Sequence, residues 1–168
     1  MSGEAAVADS ATEGVKVPFK GIRRAAARHM VHAWQAPVFH LTVEVNMSEA
    51  IKVKQVSPGA TLTDLLISVS AQTLAAFPEF NVHVEEDGVL QFERSNVAIA
   101  VAAEHGLTVP VVHSADQLDL SGIAERRKDI VERARTGALT RADLTGGTFT
   151  ISNLGMMGVR RFDAILNT

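Results

Sequence analysis

The sequence has no cysteine, no excess of basic residues and no long uninterrupted apolar run. Without cysteine, this stretch offers no thiolate nucleophile, no thiolate metal site, no iron–sulfur cluster and no disulfide. Its 16 Lys and Arg against 19 Asp and Glu give a net charge of −3, so it lacks the basic excess that tracks phosphates, and we expect no nucleic-acid partner. Any nucleophile must therefore be an oxygen, a nitrogen or a thiol brought by the substrate.

Membrane insertion is not expected either. No apolar stretch approaches the ~20 residues that span a bilayer, because runs such as residues 97–103 are soon broken by charge. The first residues also lack the basic region and apolar stretch of a signal peptide. We therefore predict no membrane partner and a cytoplasmic location.

The chain of 168 residues is 46% hydrophobic and 21% charged, which is typical of one globular domain. Residues 1–16 are rich in Ala, Ser, Gly and acidic residues and hold nothing large enough to anchor a core. We interpret them as a flexible linker or expression remnant. The folded domain is predicted to cover residues 17–168.

Apolar periodicity predicts three helices. The first follows Pro18, starts near Gly21 and carries its arginines on the outside. The second is capped by Thr61 or Thr63, carries a broad apolar stripe and stops before a proline. The third covers residues 120–135 as an amphipathic surface helix and ends at a glycine.

Strands are predicted between these helices. Residues 38–47 alternate apolar and polar side chains, which indicates a half-buried strand. Residues 81–84 and 89–92 flank Asp87-Gly88, a pair typical of hairpin turns.

Two further segments are β-rich. The apolar run at residues 96–103 predicts a strand covered on both faces, with residues 107–112 as its neighbour. Residues 146–152, GGTFTIS, run into a glycine-rich turn. Because hairpins and long crossovers coexist, we predict an α/β (or α+β) fold with a mixed β-sheet and packed helices, and we find no internal repeat.

Five segments appear in an order that is more informative than any one of them. They are VPFKGIRRAAARHM, APVFHLTVEVNMSE, FPEFNVHV, NVAIAVAAEHGLTVPVV and ARTGALTRADLTGGTFTISNLGMMGVRRFDAIL. Together they resemble the catalytic core of dihydrolipoamide acyltransferases, the E2 components of 2-oxoacid dehydrogenase complexes. The resemblance covers residues 17–168 and implies a two-layer sandwich like that of chloramphenicol acetyltransferase.

The resemblance also implies a reaction and its partners. An acyl group (acetyl, branched-chain acyl or succinyl) would pass from S-acyl-dihydrolipoyl to the thiol of coenzyme A, with the lipoyl group on a separate domain and no metal. Homotrimers would assemble into a larger cubic or dodecahedral core that works with the E1 and E3 components. The compartment would be the bacterial cytoplasm, or the mitochondrial matrix in a eukaryote.

Thioester attack creates a tetrahedral oxyanion, and one well-aimed hydrogen-bond donor is worth ~10² to 10³ in rate. The family carries this hydroxyl at the position of Ser152 in TISNLG. Ser152 would stabilise the oxyanion and would not be a nucleophile, since the acyl group passes directly between sulfurs. The alternative is a strand-end serine that satisfies its own turn.

Four residues are candidates for binding coenzyme A by the same resemblance: Arg23, Arg24, Asn81 and Asn153. A planar guanidinium suits the phosphates of a nucleotide. The alternatives are a solvated basic helix face for the two arginines and an ordinary polar strand position for Asn81.

The general base is expected outside these residues. The family's histidine belongs to a DHRxxDG motif, whereas this sequence ends at FDAILNT. A similar string, His83 followed by Asp87-Gly88, falls on the predicted hairpin, so we do not assign it to catalysis. The remaining histidines show no metal-ligand spacing.

Two other functions stay open at this point. A non-catalytic E2-like scaffold subunit would lack the histidine altogether, and the codons that follow in the gene would show it. An antibiotic-acetylating enzyme of the same fold fits the IRRAAARHM and GGTFTISNLG segments less well.

Overall fold

The structure is a computed structural model that describes residues 15–103 and 106–166, and for Ile22 it describes the backbone alone. Most of the predicted linker therefore lies outside the described residues. The helices are α1 (Gly21–Ala33), α2 (Val53–Val56), α3 (Leu62–Ala76) and α4 (Leu120–Thr136). The strands are β1 (Val82–Val84), β2 (Val89–Gln91), β3 (Val97–Ile99), β4 (Val101–Ala103), β5 (Gly106–Thr108), β6 (Val111–Val112) and β7 (Phe149–Ile151).

A three-stranded mixed sheet lies at the centre, in the order β6-β3-β7. Strand β3 runs antiparallel to β6 and parallel to β7, with Val97 opposite both Val112 and Phe149. A parallel pair requires a long crossover, and here the connection from β3 to β7 contains α4. The predicted α/β class with a mixed sheet is confirmed.

The apolar core lies between this sheet and the helices α3 and α4. It comprises mainly β-branched side chains of the strands and apolar side chains of the two helices: Ile67, Ala71, Val97, Ile99, Val101, Val112, Ala115, Ile123, Ile130 and Ala134. Each of them is less than a tenth exposed. Burial of this apolar surface fixes how the two helices sit on the sheet, since it is the main favourable contribution to folding.

The predicted helices are confirmed, and their ends have the expected chemistry. Thr61 caps α3 and forms a reciprocal capping box with Asp64. Asp119 caps α4 through the Gly122 N–H, and Gly137 closes its other end in the left-handed conformation at φ 72°.

The hairpin at residues 81–92 is also confirmed. Strands β1 and β2 pair antiparallel, with Val84 opposite Val89, and the Glu85 N–H donates to the Gly88 carbonyl at 2.9 Å. The Asp87-Gly88 pair lies in the turn, as predicted.

The predicted strand at residues 96–103 is divided in two. The Ala100 N–H still donates to the Ile151 carbonyl at 3.1 Å, but beyond this point the chain leaves the central sheet. Strand β4 pairs antiparallel with β5 in a separate hairpin. Both faces of β3 are covered as predicted, whereas β4 is buried only at Val101.

The predicted half-buried strand at residues 38–47 is wrong for the described chain. The segment belongs to no strand there, and Phe39, Leu41 and Val43 are 87%, 82% and 71% exposed. A strand needs the backbone groups of a neighbour, and no described strand edge pairs with this segment. Helix α1 is also largely exposed to solvent, because Ala33 is the one described residue of the helix that is buried.

Candidate active site

Ser152 is the first residue after β7. Parallel pairing of Ile151 with Ile99 holds the strand end against β3. The Ser152 side chain is partly exposed, and its hydroxyl has no hydrogen-bond partner among the residues that the structure describes. This hydroxyl does not satisfy its own turn, so it remains available to a ligand.

Asn153 makes the turn instead. Its Oδ1 accepts a hydrogen bond from the Gly155 N–H at 2.9 Å, and its Nδ2 donates to Thr63 Oγ1 at 3.4 Å. A Cβ at position 155 would lie 3.1 Å from Asn153 Oδ1, so this close approach suits glycine. Both polar atoms of the Asn153 side chain are therefore committed to the protein.

The loop that enters β7 is fixed by Asn96. Its carbonyl accepts from the Thr148 N–H at 2.8 Å, its N–H donates to Thr148 Oγ1 at 3.1 Å, and its Nδ2 donates to the Gly146 carbonyl at 2.8 Å. A Cβ at Gly147 would lie 3.3 Å from side-chain atoms of Ala98 and Val111, so glycine lets the loop lie flat on the sheet. These contacts set the register of β7 and hence the position of Ser152.

An ion-pair network ties the same loop to α4. Arg133 donates to Asp143, with Nη2 and Oδ1 2.8 Å apart, and also to Asp129. The Thr140 hydroxyl and N–H donate to Asp143 as well. The Arg133 guanidinium and then Thr140 hold the pKa of Asp143 far below its usual value, and Asp143 raises the pKa of Arg133.

A second ion pair joins the start of α3 to α4. Arg127 donates through two nitrogens to the two oxygens of Asp64, at 2.6 and 3.0 Å, and the Asp64 side chain is fully buried. Burial by itself would raise the pKa of Asp64, but hydrogen bonds from Arg127 and Thr61 outweigh it and lower the pKa. The capping-box spacing could have singled out Asp64 in the sequence; its partner 63 residues away gave no signal.

The arginine candidates lie on the first turn of α1, where both are exposed. Arg24 Nε donates to the Phe19 carbonyl at 2.9 Å. Among the described contacts, no hydrogen bond or ion pair joins Arg23 or Arg24 to Ser152 or Asn153. Coenzyme A binding by Arg23 and Arg24 therefore stays a prediction.

Asn81 is 1% exposed and closes the base of the β1–β2 hairpin. Its Nδ2 donates to the carbonyls of Phe92 and Arg94, both at 3.0 Å, while its Oδ1 is buried without a partner in the described chain. Contact with coenzyme A stays a prediction for this residue, and its burial argues against it.

His83 lies on β1 opposite Leu90, is exposed, and makes an edge-on ring contact with Phe92 at 4.6 Å. This placement supports leaving it out of the catalytic assignment. No group of three or more His, Asp or Glu in the described ranges could hold a metal ion.

The described chain has a cavity of about 60 Å³ beside Trp34 and His40 and an open groove of about 420 Å³ along α4. Neither is lined by Ser152.

Sequence comparison identifies the family. The family of 2-oxoacid dehydrogenases acyltransferase (catalytic domain) matches residues 11–168. The dihydrolipoyllysine-residue acetyltransferase component 5 of the pyruvate dehydrogenase complex, chloroplastic, of Arabidopsis thaliana is 38% identical over 156 residues, which is 91% of this chain and 34% of that protein. The chain thus spans about a third of the length of the curated relatives it matches.

Solved structures agree with the sequence match. A probable dihydrolipoamide acetyltransferase from Listeria monocytogenes superposes with a TM-score of 0.84 at 30% identity, over 92% of this chain and 70% of that one. The cubic core of a pyruvate dehydrogenase multienzyme complex superposes with a TM-score of 0.82 at 26% identity, over 92% and 68% of the two chains. By sequence and by fold, this chain belongs to the family of 2-oxoacid dehydrogenase acyltransferase catalytic domains.

Proposed function

We propose that the protein transfers an acyl group from an S-acyl-dihydrolipoyl group to coenzyme A, as the E2 component of a 2-oxoacid dehydrogenase complex. One observation carries the proposal: the Ser152 hydroxyl lies at the end of β7, partly exposed and unpartnered within the described chain. Acetyl is the preferred acyl group, because the similar relatives are named acetyltransferases.

The reaction assigns Ser152 a defined task. A base takes the proton of the coenzyme A thiol, which has a pKa near ~8.5, and the thiolate attacks the thioester carbonyl. Negative charge then grows on the carbonyl oxygen, to which Ser152 donates a hydrogen bond. Collapse of the intermediate breaks the bond to the dihydrolipoyl sulfur, and that sulfur takes the proton back from the base. The resemblance supplies the base, a histidine of a DHRxxDG motif lent by an adjoining subunit.

Assembly into trimers and a larger core is the second part of the proposal. Two apolar stretches support it: Phe39, Leu41, Val43 and Val45 in residues 38–47, and Met156, Met157 and Val159 after the site. Contiguous apolar surface of this kind is typical of subunit interfaces. A second copy of the chain would also complete the walls around Ser152, and one similar structure is a cubic core.

Coenzyme A and the lipoyl group are the proposed substrates, the latter carried by a separate domain, and the proposal gives no metal a role. Arg23 and Arg24 are exposed and remain the candidates for the phosphates of coenzyme A. The E1 and E3 components are the proposed partners.

The compartment is part of the proposal as well. No described helix is long and apolar enough to cross a bilayer. We place the protein in the cytoplasm of a bacterium or the mitochondrial matrix of a eukaryote; the Arabidopsis relative is chloroplastic.

Replacement of Ser152 by alanine tests the function. In the assembled core from the complete gene, we expect Ser152→Ala to lower kcat about 10²-fold, because one oxyanion donor is lost. Steady-state transfer from acetyl-dihydrolipoamide to coenzyme A is the assay, and sedimentation checks assembly. Ser121→Ala, which removes a hydroxyl on α4 that contacts Ser57 Oγ at 3.4 Å, is the control and should leave kcat unchanged.

Unchanged turnover in Ser152→Ala would remove the catalytic role from this residue. A wild-type core that assembles but transfers no acyl group would favour the scaffold subunit instead.

A further inference from the structure

Ser152 lies between two fixed neighbours. On one side, Ile151 is held by β3, because its carbonyl accepts the Ala100 N–H at 3.1 Å. On the other side, Asn153 is held by the start of α3 through Thr63 Oγ1 and closes the turn through the Gly155 N–H. The Ser152 hydroxyl, which we propose donates to the oxyanion, thus belongs to a residue whose two neighbours are held by a strand and by a helix.

The helix end that receives Asn153 is itself rigid. Thr63 follows Thr61, whose side chain and backbone form the capping box with Asp64. Asp64 in turn is buried against Arg127 of α4. Contact with Thr63 therefore fixes the position of the Asn153 side chain relative to the packed core. A contact with a mobile loop would not fix it.

We infer that Thr63 and Asn153 are positioning residues that aim the Ser152 hydroxyl at the developing oxyanion. The inference rests on the proposed function and deepens it. It also gives Asn153 a different task from the predicted contact with coenzyme A, since both of its polar atoms already have protein partners. Misplacement of a catalytic group by ~1 Å can cost about 10²-fold in rate, so a single supporting hydrogen bond can matter.

Thr63→Val is the first test, because valine keeps the shape of threonine and removes the hydroxyl. In the assembled core we expect kcat to fall about 10-fold, with the KM for coenzyme A and for acetyl-dihydrolipoamide unchanged. Thr63→Ser retains the hydroxyl and should restore kcat. Thr73→Val is the matched control, since Thr73 lies on the same helix and its hydroxyl, among the described residues, bonds the Val69 carbonyl alone.

The Ser152→Ala background separates positioning from general damage. A residue that acts through Ser152 loses its effect when the Ser152 hydroxyl is absent, so Thr63→Val should cause no further loss there. A loss of equal size in both backgrounds would overturn the inference, as would wild-type kcat in Thr63→Val. If Ser152→Ala alone is fully active, acyl transfer stands but the role of Ser152 fails, and the inference fails with it. A wild-type core that assembles without transferring acyl groups would overturn the proposed function itself.

Asn153 gives an independent second measurement should Thr63→Val fail to assemble. Asn153→Leu removes both contacts and should lower kcat with KM for coenzyme A unchanged. If Asn153→Leu instead raises the KM for coenzyme A with normal kcat, Asn153 binds coenzyme A, and the inference is overturned.

Discussion

At the residue scale, the ion pair of Asp64 and Arg127 supports the start of α3, which Asn153 contacts through Thr63. Asp64 is a fully buried carboxylate, and Arg127 and Thr61 provide its hydrogen bonds. A buried charge that loses its partner retains the full penalty of desolvation. The pair therefore matters to stability mainly through what would be left behind if one member were removed.

Replacement of Arg127 by methionine should destabilise the fold by about 3 kcal/mol, because Asp64 would remain buried without its guanidinium. Urea denaturation followed by circular dichroism measures the free energy of unfolding. Arg126→Met is the matched control: Arg126 is the neighbouring exposed arginine of α4, and its loss should cost no more than ~0.5 kcal/mol. Equal effects of the two substitutions would show that the pair is not needed.

At the element scale, local sequence signals predicted the helices α1, α3 and α4 and the β1–β2 hairpin, but not the short helix α2 or the β4–β5 hairpin. The capping box of α3, the glycine after α4 and the Asp87-Gly88 turn act within a few residues, so one sequence suffices to locate them. The partner of β7 was not predicted, because parallel pairing with β3 joins residues 52 positions apart. The division of the predicted strand at Ala100, beyond which β4 pairs with the adjacent β5, was not predicted either.

The ion pair of Asp143 with Arg133, in the loop before β7, should make the stability of the fold depend on pH. Because Arg133 lowers the pKa of Asp143, this carboxyl contributes stability that is present above its unfolded pKa of ~3.9 and is lost as pH falls through the lower folded value. Wild type should therefore be more stable than Asp143→Asn at neutral pH, and the difference should shrink below about pH 4.

Denaturant unfolding at several pH values measures that difference. Asp129→Asn is the control, since Asp129 pairs with the same arginine from an exposed position, 58% accessible in its side chain. A difference between wild type and Asp143→Asn that grows on acidification would contradict the assignment.

At the scale of the whole molecule, residues 38–47 have strand-like alternation but no described strand beside them. The alternation picks out apolar side chains, and under the proposed assembly a neighbouring subunit would cover them. Apolar residues that are exposed in one chain and suited to burial indicate a neighbouring subunit.

Leu41→Asp should therefore prevent assembly, because a carboxylate buried at an interface has no partner. Analytical ultracentrifugation of the complete gene product should show smaller particles or monomers, while circular dichroism stays that of the folded chain. Val56→Asp, a similar change at an apolar residue that is 83% exposed on α2, is the control and should leave assembly intact. Normal particles formed by Leu41→Asp would exclude this segment from the interface.

The sequence by itself determined the helices α1, α3 and α4, the β1–β2 hairpin, the family and the candidate hydroxyl at Ser152, because each depends on neighbouring residues or on a contiguous motif. Only the tertiary structure decided that β7 lies parallel to β3, that Asn153 reaches Thr63, and that Arg127 neutralises Asp64. These contacts join residues 52, 90 and 63 positions apart, and no local pattern encodes them. They form because burial of the shared apolar core brings the elements together and leaves their polar groups only these partners.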